Sequence, residues 1–255
     1  MDPGSEYSAD AVAINWSGDT FENAVMKWRF DATDIYGNFI TTGIGGEFEI
    51  EYPAYTAETQ TINFTLPNQK CVGTVTAKNI AVTNTTSNSY WIRGGTVTVT
   101  GDISANGSAD NGMAIAGACK IKSDTITISN VTKNDGIRTE GSSTIEANTI
   151  HISNIQSQGI RITKINTIKV DIVIIDTTVA ENGLWIANTA TEQPTIQITN
   201  LVLNSIGNKG VASSVAIANS NLNIGTLWYA NFTNYKSDSV DAGCFGEVKN
   251  ELPTT

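Results

Sequence analysis

The sequence predicts an all-β protein whose chain winds into a parallel β-helix, and three observations lead to this prediction. Thr, Asn, Ser, Ile and Gly are abundant while charged residues make up only 16%, a composition that favours strands and turns over helices. Short apolar segments alternate with a period of two, as in strands that bury one face. These segments recur every 22 to 24 residues, and a fixed period of that size is typical of a solenoid.

The chain is divided into three parts. Residues 1–6 are interpreted as a cloning remnant or a disordered leader, residues 7–235 as the β-helix domain with its N-terminal cap, and residues 236–255 as a tail or cap that the pattern leaves unassigned. The β-helix is expected to contain about six or seven coils, because each coil must stack on the previous one to bury its apolar face.

A short α-helix is predicted to cap the first coil. In SGDTFENAVMKWRF (residues 17–30), Asp19 is followed three residues later by Glu22, which is a capping-box pattern. One face of the resulting helix is apolar, with Phe21, Val25 and Trp28 on it. A helix here would cover the open end of the solenoid, which otherwise exposes its core.

A polar residue follows the apolar segment of each period. The series is Asn84, Asn106, Asn130, Asn154, Asp176 and Asn200, at intervals of 22, 24, 24, 22 and 24 residues, with Asn231 marking a last coil 31 residues further on. Equivalent side chains on stacked strands lie about 4.8 Å apart, so each amide can bond to the next. We therefore expect a buried asparagine ladder. Its burial would leave the N-x-S/T sequons at Asn84, Asn106, Asn130 and Asn231 without glycans.

Within each period an Ile-x-Ile pair is predicted to point into the coil. The pairs are Ile126 and Ile128, Ile150 and Ile152, Ile172 and Ile174, and Ile196 and Ile198. The residues between them then form an outward column of Thr127, His151, Val173 and Gln197. His151 is interpreted as a bystander on this face. Val173 and Ile175 would be exposed apolar residues, compatible with a surface that a partner chain covers.

A second repeated motif follows the polar residue of each period by several residues. It consists of Tyr90-Trp91, Gly112-Met113, Gly136-Ile137, Gly159-Ile160 and Gly183-Leu184. If its apolar members point inward, the next residues form one exposed column of Trp91, Ala114, Arg138, Arg161 and Trp185, and a second column of Arg93, Ala116, Glu140, Thr163 and Ala187. Tryptophan stacks on sugar rings and arginine binds carboxylates. We therefore expect a ligand groove, suited to acidic sugars, that uses Trp91, Arg93, Arg138, Arg161 and Trp185.

Carboxylates lie close to this column in the sequence. Asp110, Asp135 and Glu181 precede it in the turns, and Glu140 lies on the strand itself. Glycoside hydrolysis needs two carboxyl groups roughly 5 to 10 Å apart. A lyase needs a base and a cation that neutralises the sugar carboxylate, for which Arg138 or Arg161 would serve. Asp135, Glu140 and Glu181 are therefore the candidate catalytic residues, and the alternative is that they are solvated turn residues.

Charge and composition argue against several classes of protein. The net charge of −10 excludes the basic surface that a nucleic-acid-binding protein needs. One histidine and three scattered cysteines (Cys71, Cys119 and Cys244) argue against a zinc site or a disulfide framework, so no metal or other cofactor is expected. No apolar run has the length of a membrane span, and no secretory leader opens the chain, which a virion protein or an excised domain would also lack.

A family resemblance follows from the N-terminal region. The predicted capping helix followed by GGEFEIEYP (residues 45–53) resembles the opening of pectin-lyase-like right-handed parallel β-helices, which include bacteriophage tailspikes and polysaccharide-cleaving proteins. The resemblance covers the architecture of roughly residues 17 to 235. It implies a right-handed coil, a polysaccharide ligand, hydrolase or lyase activity, a homotrimer, and a place on a virion or outside the cell.

The resemblance carries over no catalytic residue. No pectate-lyase calcium motif, Asn-x-Asp motif or Asp-Asp pair of that family can be matched in this chain. Two interpretations of the function therefore remain open. One is a carbohydrate-recognising tailspike-like protein, with or without cleavage activity, and the other is a non-enzymatic structural or adhesive solenoid such as a virion shaft or a surface adhesin module.

Overall fold

The computed structural model of the chain confirms the predicted fold class, a parallel β-solenoid of about seven turns. It describes residues 25–29, 47–64, 69–83, 90–178 and 181–254. In this part of the chain every strand pairing is parallel except that of the first strand, and the one helical element is a 3-10 turn at Ala242–Cys244. None of its helices is long and apolar enough to cross a membrane. The right-handed sense of the coil stays a prediction.

Sixteen strands belong to one continuous sheet. They are β1 (Val25–Arg29), β2 (Glu47–Phe64), β3 (Gln69–Thr83), β4 (Tyr90–Val99), β5 (Asp102–Asn106), β6 (Met113–Val131), β7 (Ile137–Thr139), β8 (Thr144–Ile155), β9 (Ile160–Ile162), β10 (Thr167–Thr178), β11 (Leu184–Ile186), β12 (Thr195–Ile206), β13 (Lys209–Ser213), β14 (Leu222–Ala230), β15 (Asn234–Lys236) and β16 (Phe245–Lys249). From β7 onward, each coil consists of one shorter and one longer strand, whereas β6 spans both positions and pairs with β7 and β8.

Columns of apolar side chains fill the interior of the coils. On the long strands, Ile126, Ile150, Val173, Leu201 and Leu227 are in register and buried. β-branched residues predominate because they pack well on a pleated surface. Since each column continues through successive coils, every coil buries its apolar face against the next, which is the cooperative unit of a solenoid.

The predicted orientation of the side chains is confirmed in β6, β8 and β12 but wrong in β10. Val173 and Ile175 are completely buried, whereas Ile172 is 39% exposed. The structure aligns Val173, and not Ile172, with Ile150. Because side chains alternate, this one-residue slip exchanges the two faces of the strand. The proposed partner surface at Val173 and Ile175 is therefore wrong, since both side chains belong to the core.

The one-residue difference between the predicted and the observed register begins in a segment that is apolar on both faces of the strand. IVII (residues 172–175) contains no alternation from which a sequence pattern could choose the inward residues. In β12, Ile196 and Ile198 are buried, but they are in register with Ile168 and Val170. The column that contains the Ile-x-Ile pairs of β6 and β8 continues instead through Leu201 and Leu203. The outward column next to His151 consequently contains Thr127, Ile174, Val202 and Trp228, and not Val173 and Gln197.

The asparagine ladder exists, with two corrections. Asn130 Nδ2 donates to Asn106 Oδ1 at 2.7 Å, and Asn154 Nδ2 donates to Asn130 Oδ1 at 2.7 Å. Further along the solenoid a second run of the ladder begins at Asp176, which is in register with Ser153 and not with Asn154. It passes through Asn204, whose Nδ2 donates to Asp176 Oδ1, and not through Asn200. Asn231 Nδ2 then donates to Asn204 Oδ1 at 2.6 Å. Asn200 instead lies in the middle of β12, in register with Ile172 and Thr226.

The ladder lies on the surface, so its predicted burial is wrong. Asn106, Asn130, Asn154 and Asn231 are all exposed. The corner positions adopt a left-handed backbone, with φ of 56° at Asn130 and 55° at Asn154, a conformation that asparagine tolerates better than most residues. This conformation turns the chain away from the core. Burial therefore does not exclude glycans at Asn106, Asn130 and Asn231, while Asn84 lies outside the described residues.

The first strand replaces part of the predicted capping helix. Of residues 17–30 the structure describes Val25–Arg29, which form β1 and pair antiparallel with β2. The sequence VMKWR has a period of two as well as helical spacing. Its pairing with β2 satisfies backbone groups at the edge of β2, which would lack these partners if the segment were a helix. The rest of the predicted helix and residues 1–6 lie outside the described residues.

The segment left unassigned after residue 235 continues the solenoid. Ile217 bridges to Val240, and β16 pairs in parallel with β14. Four aromatic rings pack at this end of the core, with neighbouring centroids 5.5 to 5.7 Å apart: Tyr229, Phe232, Tyr235 and Phe245. Their large apolar area shields the last apolar column from water.

Candidate functional site

The short strands place the predicted arginines and tryptophan side by side on one face. Arg138 on β7, Arg161 on β9 and Trp185 on β11 are in register on three successive coils. Their side chains are half-buried, and the neighbouring positions in the column are occupied by Ala114 and Ala212. The inward residues on either side of each are buried, which holds the three side chains outward. We call these three residues the Arg–Trp column.

Two other predicted ligand residues continue this face in the backbone alone. Trp91 pairs in register with Ala114, and Arg93 with Ala116. Their side chains lie outside what the structure describes. The predicted positions of both residues on β4 therefore agree with the register, while their role in binding stays a prediction.

Glu140 interacts with the Arg–Trp column. Its Oε1 lies 2.9 Å from Arg138 Nε, and both side chains are about one-third exposed. The oxygen lies off the N–H direction, so this contact is an ion pair without hydrogen-bond geometry, and Arg138 Nε has no hydrogen-bond acceptor. Partial exposure screens such a pair, which limits its contribution to stability.

Directly behind the Arg–Trp column runs a second ladder, which is buried. It consists of Asn111, Asp135, Gln158 and Asn182, each immediately before a glycine. Asn111 Oδ1 accepts from the backbone N–H of Asp135 at 3.3 Å, and Gln158 Oε1 accepts from that of Asn182 at 3.0 Å. Each side-chain oxygen thus satisfies a backbone donor of the following coil, as burial requires.

Asp135 is the one ionisable residue in this buried ladder, where the other members are neutral amides. Its Oδ1 accepts from the backbone N–H of Gln158 at 3.2 Å. Its Oδ2 is buried without a hydrogen-bond partner, and the nearest cation is Arg161, whose Nη1 lies 4.0 Å away. A neutral amide would fill the structural role of this position, so a carboxylate here calls for a separate explanation.

Burial raises the pKa of Asp135 above its ordinary value of 3.8. The hydrogen bonds from Gln158 and Ser157 and the charges of Arg161 and Arg138 act in the opposite direction but do not overcome desolvation. Because the folded state holds this proton more tightly than the unfolded state, the free energy of unfolding falls as the pH rises from the unfolded pKa through the folded one. The ionised carboxylate thus destabilises the fold at neutral pH.

We expect Asp135→Asn to raise the melting temperature at pH 7 by a few degrees, which corresponds to about 1 kcal/mol. The new amide keeps the acceptor for Gln158 and removes the cost of a buried charge. The gain should shrink as the pH falls through the raised pKa of Asp135, where the wild-type carboxyl becomes protonated. Differential scanning calorimetry from pH 3.5 to 8 measures it. Asp171→Asn, on an exposed residue, is the control, and equal pH profiles for both variants would contradict the prediction.

The other candidate carboxylates have different surroundings. Glu181 is bound by Gln158, whose Nε2 donates to its Oε2 at 2.9 Å, so Gln158 links it to Asp135. Asp110 accepts from Asn134 Nδ2. The structure therefore brings Asp135, Arg138, Arg161 and Glu140 into one cluster, with Glu181 at its edge. Of the candidate carboxylates, only Asp135 is buried.

Sequence reasoning missed a groove on another face. It has a volume of about 750 Å³ and follows the bends of the long strands across five coils. Polar side chains dominate its lining, among them Lys122, Glu146, Asn148, Lys169, Asp171 and Gln197. Lys122, Glu146, Lys169 and Gln197 are aligned in one column. Their common register is a signal that the correct alignment of β10 and β12 would have revealed.

Among the described residues, no three His, Cys, Asp or Glu side chains cluster so that they could hold a metal ion. Comparison with known proteins adds no assignment to this geometry: no family model, curated protein or solved structure matches the chain.

Proposed function

We propose that this protein is a carbohydrate-binding β-helix of the tailspike type, which recognises a surface polysaccharide through the Arg–Trp column. The observation that carries the proposal is the in-register placement of Arg138, Arg161 and Trp185 on three adjacent coils. Coils are about 4.8 Å apart, a spacing comparable with the length of one sugar ring. Successive rings of a glycan lying along the solenoid can therefore contact successive side chains.

The chemistry of the column suits a glycan with acidic groups. The half-buried indole of Trp185 offers a face for stacking on a sugar ring. The side chains of Arg138 and Arg161 are about one-third exposed, so a ligand can contact both guanidinium groups, whose buried Nε atoms have no hydrogen-bond acceptor within the protein. Guanidinium groups bind carboxylates with two parallel hydrogen bonds, which favours uronic or other acidic sugars over neutral ones.

Three further elements of the proposal rest on the tailspike-like resemblance. They are hydrolase or lyase activity with Asp135, Glu140 and Glu181 as the catalytic carboxylates, assembly as a homotrimer, and a place on a virion or outside the cell. A reducing-end or unsaturated-product assay tests cleavage on any glycan that binds. Loss of turnover with retained binding in Glu181→Gln would support an enzyme, and light scattering tests the trimer.

The non-enzymatic alternative has one observation in its favour. Both carboxylate oxygens of Asp135 are shielded from solvent, and its side chain is only 2% exposed. A general acid must reach the glycosidic oxygen within hydrogen-bond distance. An adhesive solenoid that binds its glycan without cleaving it needs no such contact, and it would show binding in the array with no product in either assay.

We expect Trp185→Ala and Arg161→Ala each to weaken glycan binding by about 1–3 kcal/mol, through lost stacking or a lost charge-assisted hydrogen bond. A glycan array identifies the ligand, and calorimetric titration measures its affinity for each variant. Melting curves should stay close to wild type, because both side chains face outward.

Lys169→Ala is the matched control for Arg161→Ala, since it removes a cation from the groove on the other face. It should leave the affinity unchanged. If Lys169→Ala weakens binding and Arg161→Ala does not, the ligand occupies the groove, and the proposed site is wrong.

A further inference from the structure

Unsatisfied buried polar atoms are concentrated in the cluster around Asp135. Among the described residues, five buried side-chain nitrogen or oxygen atoms have no hydrogen-bond partner. Three of these atoms are Asp135 Oδ2, Arg138 Nε and Arg161 Nε. Such atoms are costly unless something pairs with them. The two nitrogens are donors, and the guanidinium groups that contain them are about one-third exposed, so an anion from outside the protein can contact these groups.

We propose that Asp135, Arg138 and Arg161 form a receptor for an anionic substituent of the ligand, and that protonation of Asp135 switches this receptor on. The inference rests on the proposed function in one respect, namely that the anion is carried by a glycan. The receptor itself follows from the geometry of the cluster and extends to any small oxyanion.

The charge balance of the cluster gives the reason for the switch. With Asp135 ionised, two arginines face two carboxylates, Asp135 and the Glu140 that pairs with Arg138, and the cluster is neutral. With Asp135 protonated, one guanidinium is uncompensated and attracts an anion. Because the carboxyl is buried, its charge is poorly screened and acts strongly on its neighbours. The raised pKa of Asp135 brings this change closer to neutral pH.

The other groups around Asp135 do not supply an alternative switch. Ser157 and the backbone of Gln158 are hydrogen-bond donors to the carboxylate, and Asn111 on the preceding coil is a neutral amide. Glu181 lies beyond Gln158 and is bonded to its amide. Asp110 is bonded to Asn134. Among the described residues near the two arginines, Asp135 is the one buried carboxylate.

Inorganic sulfate tests the receptor, because it stays a dianion from pH 4 to 8 and requires no knowledge of the glycan. The arginine Nε–H resonances of Arg138 and Arg161 are followed by NMR during sulfate titration. In the wild type, both should shift, and the affinity should weaken as the pH rises. Asp135→Asn should bind sulfate about tenfold more tightly at pH 7 and lose this pH dependence.

Asp171→Asn is the matched control, since it makes the same change of charge on an exposed residue of the other face. It should retain the wild-type affinity and pH profile. The wild-type profile also stands without any variant, so a folding defect in Asp135→Asn would not remove the test. Sulfate binding that is independent of pH in the wild type, or that shifts neither arginine resonance, would overturn the inference.

Glucuronate and glucose separate this inference from the proposed function. Glucuronate should shift the same two resonances as sulfate, and glucose should not. If both anions bind with the expected pH profile while no glycan is bound in the array, the receptor stands and the proposed function fails. If a glycan binds through Trp185 but its carboxyl-reduced form binds equally well, the proposed function stands and the receptor fails.

Discussion

Gly159→Ala is expected to destabilise the protein by about 3 kcal/mol or more, at the upper end of what overpacking costs. A Cβ at this position would lie 2.6 Å from the carbonyl oxygen of Gly183 on the next coil and 2.6 Å from Ile175 Cγ2. Neither neighbour can move freely, because Gly183 accepts from the backbone of Ile160 and Ile175 is fully buried. Equilibrium unfolding in guanidinium chloride measures the change.

Gly243→Ala is the matched control, since its added Cβ would meet only the side-chain oxygen of Asp241, at 3.1 Å. We expect a change below about 1 kcal/mol for this variant, as for most surface substitutions. Similar stability for the two variants would mean that the coils do not approach each other as closely as the structure shows.

Ile175→Ala is expected to cost about 2–5 kcal/mol, whereas Ile172→Ala on the same strand should cost less than about 1 kcal/mol. Ile175 is completely buried in register with Ile152 and Leu203, while Ile172 faces outward and is 39% exposed. The same chemical change at two positions three residues apart therefore reports which face of β10 is the core. Thermal and chemical unfolding of the two variants measures the difference.

If Ile172→Ala destabilised the protein more than Ile175→Ala, the register predicted from the repeated Ile-x-Ile pairs would be correct. It would also return Val173 and Ile175 to the surface as a contact for a partner chain. Equal losses for both variants would indicate that both faces of β10 are covered, as in a tight oligomer, and light scattering on the wild type would then show that oligomer.

These two results bear on the candidate site because the stacking of the coils is what aligns it. The glycines before each short strand allow the close approach that holds β7, β9 and β11 in register. Arg138, Arg161 and Trp185 then lie on one line only because all three strands share this register. A change that shifts one coil would separate side chains that have to act on one ligand.

Local repetition in the sequence determined the solenoid and the Arg–Trp column. A glycine followed by an apolar residue recurs where the short strands begin. Identical short patterns can be aligned in only one way, as Gly136-Ile137-Arg138 is with Gly159-Ile160-Arg161. Alternation then dictates that the arginines face away from the buried isoleucines. No information from distant parts of the chain is needed for these inferences, so a single sequence suffices for them.

The tertiary structure alone decided the register of β10 and β12, because IVII has no alternation and the loop between β11 and β12 lengthens its coil. It also decided that the asparagine corners face solvent, since the left-handed backbone of Asn130 and Asn154 sets that direction. The burial of Asp135 depends on the coils above and below it and on the arginines that flank it. Burial, unlike periodicity, is a property of the neighbours, and the physical reason that Asp135 has a raised pKa lies entirely in them.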